Sequence, residues 1–488
     1  LEKLAKQTAI YGISTIIGRF LSYLLTPYYT RVFGQADYGI ITDIYALIPF
    51  ALVVLTMGME SGYFRFAAKA DAAGGDVEAA KKRLFSTVWG ITSLAAVAFF
   101  VAVAALREPI ARAMGEAYVA HPEFVVLVGA IVMFDVASCI PFSRLREQGR
   151  AGRFVTLKML NIVLQTGLAF AFGAMGLFAT EFGVGWAFVA NLAASVITFA
   201  SILPTTNRTV PKIDWLLLAT VFSYSLPLLV SGVAGTANEF IDRQMIKYLV
   251  PENAMAQLGI YGAITKSAVV MMLFTQMYRL AAEPFFLANY RKDDFKAMNA
   301  AALKYYIIAS MLIFLGIALF KDLFALIVGR DFRQGIFILP VVLGANVLSG
   351  VWLNLSFWYK REERTWLAIA VTFVGLIFTV LCNVALVPKY GYYGAAWARL
   401  ASEAAMVAVS YWLNRRYYPT PYPMARIVEY VAVALVVYGA SVAGERAIAQ
   451  VAVQYVLNAL LVGSYALYVV RREKIDVVAM VRSILRRG

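Results

Sequence analysis

The sequence predicts an all-α polytopic membrane protein of about 14 transmembrane helices, and three observations carry that class. The chain is 61% hydrophobic and only 15% charged, with a mean hydropathy of +0.71, far more apolar than a soluble domain. Its apolar runs recur at the length that crosses a bilayer. Its Lys and Arg, which give a net charge of +15, gather in alternate loops, the asymmetry of a chain whose basic loops stay inside. That distribution argues against nucleic acid as the reason for the charge. RFAAKADAAGGDVEAAKKR, SRLREQGRAGR and VVRREKIDVVAMVRSILRRG read instead as inner segments facing anionic lipid, with both termini cytoplasmic.

In chain order the spans fall at roughly 8–30, 39–64, 84–106, 124–143, 154–176, 183–203, 221–247, 257–287, 305–328, 335–359, 366–387, 392–413, 426–444 and 449–470. The opening LEKLAKQTAIYG shows no signal-peptide cleavage pattern, and Leu1 in place of Met suggests a trimmed or partial numbering. Span one carries Arg19 near its midpoint, among Gly12, Gly18 and Ser22. An ionised side chain at the bilayer centre costs about 2.5–3.5 kcal/mol even on the mildest scale. Arg19 is therefore read as an anion-binding or coupling residue, against the alternative of a buried partner for Glu60 or Asp135. Span two ends in MGMESGYFRFAAKA, which puts Glu60 in its inner third and Arg65 at the edge, where a snorkelling charge sits easily. Span four holds Asp135 beside Ser138 and Pro141, as a coupling acid or as a polar contact between helices. Cys139 and Cys382 lie in apolar runs and His121 stands alone in a loop, so no disulfide, metal site or His-dependent catalysis is expected.

Spans five and six share a pattern with spans eleven and twelve: Gly185-Trp186-Ala187 answers Gly394-Ala395-Ala396 at a separation of 209 residues. Spans one and seven correspond as well, through Arg31 with Tyr38-Gly39 and Arg243 with Tyr261-Gly262. A duplicated six-helix unit enters and leaves on the same side, so its copies are related by an axis along the membrane normal. The expectation is a six-helix lobe over 1–210, a second over 211–418, a central cavity between them, and two further helices with a basic tail over 419–488.

Span seven organises the second lobe. It contains Pro227, Gly232 and Gly235 as candidate hinges, then Glu239, Asp242 and Arg243 toward its outer end. Span eight adds Lys266, and span twelve adds Arg399 and Glu403. Glu239 with Arg243 and Arg399 with Glu403 are i,i+4 pairs that offer local neutralisation. Arg19 and Lys266 have no such partner nearby in sequence and suit an external phosphate or pyrophosphate, with Arg243 and Arg399 as secondary candidates. Glu60, Glu239, Asp242 and Asp135 are the candidates for coupling to protons or Na+; no resident cofactor is implied.

The segments TPYYTRVFGQADYG, MESGYFRF, YSLPLLVSGVAGTANEFIDRQMI, YGAITK and YGYYGAAWARLASE, spread over roughly residues 5–415, resemble the polysaccharide-transport branch of the multidrug/oligosaccharidyl-lipid/polysaccharide (MOP) exporters, the Wzx-type flippases. The resemblance implies a flippase of the bacterial inner membrane that moves an undecaprenyl-pyrophosphate-linked oligosaccharide to the outer leaflet by alternating access, with ion coupling and neighbouring polysaccharide polymerase or ligase machinery. Arg19 and Lys266 match in position the cavity cations such flippases use for the lipid pyrophosphate. Many Wzx-type chains have twelve spans, whereas this one adds two after RRYYPTPYPMAR. The related lipid II flippases have fourteen, the last pair forming a groove for the lipid tail, which raises lipid II as an alternative substrate. A drug/cation antiporter would want a more acidic cavity, and a glycosyltransferase would need a carboxylate constellation outside the bilayer. A non-transporting scaffold of envelope polysaccharide synthesis would keep the fold but tolerate neutral residues at 19 and 266.

Overall fold

The computed structural model describes residues 23–206, 209–290, 292–362, 364, 366–448 and 450–474, and the regular elements among them are helices. Their contacts form two compact units: Leu1–Gly262 with Asn383–Tyr392, and Ala263–Cys382 with Tyr393–Gly488.

Unit one opens with α1, described over 23–32, then α2 (Gln35–Thr56), α3 (Met59–Ala73) and α4 (Val77–Ala105). The short α5 (Arg107–Met114) and α6 (Glu116–Val119) lead to α7 (Glu123–Glu147), α8 (Ala151–Ala174) and α9 (Gly185–Ile202). α10 (Trp215–Leu249) follows, and α11 (Ala254–Ser267) leaves the unit after Gly262. Two of these helices start on aspartate caps: the Asp76 carboxylate accepts from the Ala79 N–H at 3.0 Å, and Asp214 from the Leu217 N–H at 3.1 Å. With 35 residues, α10 reaches about 52 Å, well beyond a hydrocarbon core of about 30 Å. Its first half packs on α3 and its second on α2. The core where α3, α4, α7 and α10 meet is built from Met59, Tyr63, Phe85, Trp89, Ile140 and Val221. Trp89 is satisfied there by donating its indole N–H to the Ala137 carbonyl at 2.9 Å.

Glycine sets two of the close crossings. Between α2 and α3 the chain turns at Met57 and Gly58, whose φ values are 52° and 67°. A Cβ on Gly58 would lie 2.6 Å from the Ser225 carbonyl, so α10 approaches here only because that position has no side chain. On the other face of α2, Gly39 meets the Met255 carbonyl, while Gly259 and Gly262 of α11 meet Gln35 and Thr42. Small residues at such a seam let two membrane helices touch backbone to backbone.

Unit two takes the rest of α11, then α12 (Val269–Ala288), α13 (Phe295–Ala318), the short α14 (Lys321–Ala325), α15 (Leu339–Leu355) and α16 (Phe357–Arg361). α17 (Trp366–Tyr390), α18 (Tyr392–Tyr417), α19 (Met424–Ala447) and α20 (Val451–Glu473) complete it, apart from residues 383–392, which pack in unit one. α13 is its centre, contacting α12, α15, α19 and α20. An aromatic cluster including Phe286, Phe295, Trp358, Tyr359 and Tyr418 fills one end.

The expectation of about fourteen spans meets a smaller count. Among the described residues, 11 helices are long and apolar enough to cross a membrane, or 12 when α11 and α12, bent by 56°, are taken as one. Two expected spans are missing from that count for different reasons. Most of 8–30 lies outside the described residues. The span at 392–413 is present as α18, 26 residues long, but Arg399, Glu403, Arg415 and Arg416 make it the less apolar kind of helix.

Candidate functional site

Each charged residue singled out in the sequence has its own setting, and Arg19 falls outside the described residues. Lys266 sits half-buried in the last turn of α11, two residues before Ala268, where the chain bends into α12. Arg399 is half-buried on α18, with Glu403 one turn further along the same face. On α10, Arg243 donates to the Glu239 carbonyl oxygen at 2.6 Å, which folds the guanidinium back along its own helix. Asp242, next to it, is 3% exposed and accepts a hydrogen bond from the Asn383 amide at 3.0 Å. Glu239 is exposed.

Glu60 and Asp135 belong to the bundle of α3, α7, α8 and α9. Arg146 donates to the Glu60 carboxylate at 3.0 Å, and the Cys139 thiol lies 3.8 Å from its other oxygen. Asp135 faces Ser195 of α9 and Lys158 of α8. The candidate hinges do not break α10: the helix runs unbroken past Pro227, Gly232 and Gly235, and Pro227 and Gly235 are exposed.

Among the described residues of unit one, a further group of charges that the sequence reading did not single out converges on one buried carboxylate. Asp43 of α2 is 1% exposed and forms an ion pair of 2.6 Å with Lys247 of α10. The Tyr118 hydroxyl and the Gln244 amide each donate to the same carboxylate at 2.6 Å. The Lys247 ammonium also rests 4.7 Å from the centre of the Tyr118 ring. Burial first, and the Asp43 charge second, push the Tyr118 hydroxyl well above its ordinary range, which keeps it a neutral donor. Three donors on one carboxylate are what a buried charge needs to avoid a large desolvation penalty. The signal for Asp43 was present, since ITDIYALIPF places an acid inside an apolar run; its partner, 204 positions away, was not visible.

The last two helices are tied to α13 by polar contacts. Asn458 of α20 donates to the Leu319 carbonyl at 2.6 Å and accepts from Ser441 of α19 at 2.7 Å and from Gln454 at 3.1 Å. Lys304 of α13 pairs with Glu473, and Lys321 of α14 with Glu445 at 2.5 Å. Along α20, Ser464, Leu467, Tyr468, Arg471 and Arg472 line an open cavity of about 410 Å³.

Comparison with known proteins gives a consistent answer at the level of family and fold. A family model described as polysaccharide biosynthesis protein matches residues 4–286. The probable low-salt glycan biosynthesis flippase Agl15 of Haloferax volcanii is 20% identical over 407 residues, covering 82% of this chain and 81% of that protein. Among solved structures, the lipid II flippase MurJ in an inward closed conformation superposes with a TM-score of 0.77 at 13% identity, over 96% of this chain and all of that one. An inward-facing multidrug resistance MATE family transporter of the MOP superfamily superposes with a TM-score of 0.65 at 16% identity, over 84% and 94% of the two chains. The fold is thus the one these transporters share.

Proposed function

Because this chain belongs to the polysaccharide biosynthesis protein family, we propose that it is a flippase for an undecaprenyl-pyrophosphate-linked oligosaccharide, carried from the cytoplasmic to the outer leaflet of a bacterial inner membrane. The observation that carries the reading is the pairing of that family with a transporter fold extending over 96% of the chain. The relative of similar length named as a glycan biosynthesis flippase supports it.

In this reading the lipid pyrophosphate is met by Arg19 and Lys266, with Arg243 and Arg399 as further cations. A guanidinium gives two parallel hydrogen bonds to a phosphate and an ammonium gives a point charge. Lys266 stands beside the 56° bend, where a change in helix geometry would move its ammonium. Of the acids proposed for coupling to protons or Na+, Asp242 is the buried one, and its carboxylate is held by the Asn383 amide N–H. Transport proceeds by alternating access, with the isoprenoid left in lipid and α19 and α20 as the surface it follows. Lipid II is the competing substrate, favoured by the two added helices.

The test is leaflet translocation in proteoliposomes of defined lipid-linked oligosaccharides and of lipid II. Arg19→Ala and Lys266→Ala, at matched insertion, are expected to lower the rate by about 10- to 100-fold each, a loss of about 1.4–2.7 kcal/mol of anion stabilisation. Wild-type rates in the double variant would remove the anion site. No flipping of any substrate by the wild type would shift the reading to an antiporter or a scaffold.

A further inference from the structure

We propose that Asp43 and Lys247 form a releasable latch that holds the C-terminal end of α10 against α2. The purpose of the latch rests on the transport reading, but its existence does not. The argument begins with what ordinary helix glue requires. Apolar side chains of similar volume hold two helices as well as a buried ion pair or better, so a pair kept at 1% and 5% exposure needs another reason. A charged pair is bound in one register only, and it loses little once parted if both groups reach water.

The surroundings are those of a joint that can part. Asp43 draws three donors from two separate helices: Gln244 and Lys247 one turn apart on α10, and Tyr118 on the short α6. Next to it, the seam between α2 and α11 is made by Gly39, Gly259, Gly262 and Thr42. A seam of glycines is smooth, with no long side chains to withdraw before the helices separate. Five residues before Lys247, Asp242 ties the same end of α10 to Asn383, part of a short stretch of α17 packed in unit one. The end of α10 is therefore fixed by discrete polar contacts, and α11 lies on the smooth side of α2.

The test reads access of water to that seam. Leu258 of α11 is fully buried beside Gly259. In a Cys139→Ser, Cys382→Ser background carrying Leu258→Cys, the full chain in lipid nanodiscs is treated with a water-soluble maleimide and the labelling rate is followed. Asp43→Asn and Lys247→Met are each expected to raise that rate by about tenfold or more, because one buried charge is left without its partner. The exchanged pair, Asp43→Lys with Lys247→Asp, should bring it back toward the parent. An apolar pair, Asp43→Leu with Lys247→Met, should stay protected yet lose flipping, since the joint then holds without a means of release.

Labelling within about twofold of the parent in both folded single variants overturns the latch, and so does wild-type flipping by the apolar pair. Should the single variants fail to fold, the apolar pair decides through its flipping rate. A wild type that flips no substrate while the labelling changes appear would count against the transport reading and for the latch.

Discussion

Asp214 shows how much one side chain can set. It caps the N-terminus of α10, accepting from the Leu217 N–H, and pairs with Arg83 of α4. The backbone hydrogen bond from Leu217 first, and Arg83 second, hold its carboxyl below the usual range. A depressed carboxylate contributes stability that is complete above the unfolded value, near 3.9, and is lost as pH falls through the folded one. Asp214→Ala should therefore lower the melting temperature at pH 7 by roughly 1–2 °C and flatten its decline between about pH 5 and pH 3. A variant with the wild-type acid limb would show that the cap contributes nothing. The legibility of single residues was uneven. Lys266 and Asp242 stand out in the sequence because their own helices are apolar, and Asp43 stands out equally by that criterion. What the sequence withholds is pairing: Lys247 lies 204 positions from Asp43 in the chain and 2.6 Å from it in the fold.

At the scale of elements, the contact of α19 and α20 with α13 separates two kinds of polar tie. Asn458 is 1% exposed and serves Leu319, Ser441 and Gln454 together, so its loss leaves several buried groups without partners. Asn458→Leu should cost about 1–3 kcal/mol, read as a lower melting temperature in detergent. Lys321→Gln removes an ion pair whose glutamate is one-third exposed, and should cost no more than about 1 kcal/mol. An equal loss in the two variants would mean that the buried network is not what docks the last helices. Both helices were legible as apolar runs of bilayer length. Their Ser, Asn and Gln were not legible as docking residues, because a polar side chain in such a run reads the same whether it faces α13 or lines a cavity.

Across the whole molecule, composition established a many-span helical protein, and the repeat at about 210 residues suggested two halves. Contacts divide the chain after Gly262 and bring residues 383–392 back to unit one, where Asn383 donates to the buried Asp242. Orientation is a further property of the whole chain, and it rests on charge. Arg415 and Arg416 end α18, Arg471 and Arg472 end α20, and the last turn of α19 carries the single basic residue Arg446 next to Glu445. The rule that basic loops stay inside then predicts residues 416 and 474 in the cytoplasm and residue 450 outside. Single cysteines at Arg416, Gln450 and Lys474, in a chain without Cys139 and Cys382, give the test. An impermeant reagent added to intact cells should label Gln450→Cys alone, with the other two reacting after the membrane is opened. The reverse pattern would turn the whole chain over: Lys266 and Arg399 would then sit in the opposite halves of their helices relative to the cytoplasm, and the direction of transport would have to be assigned anew.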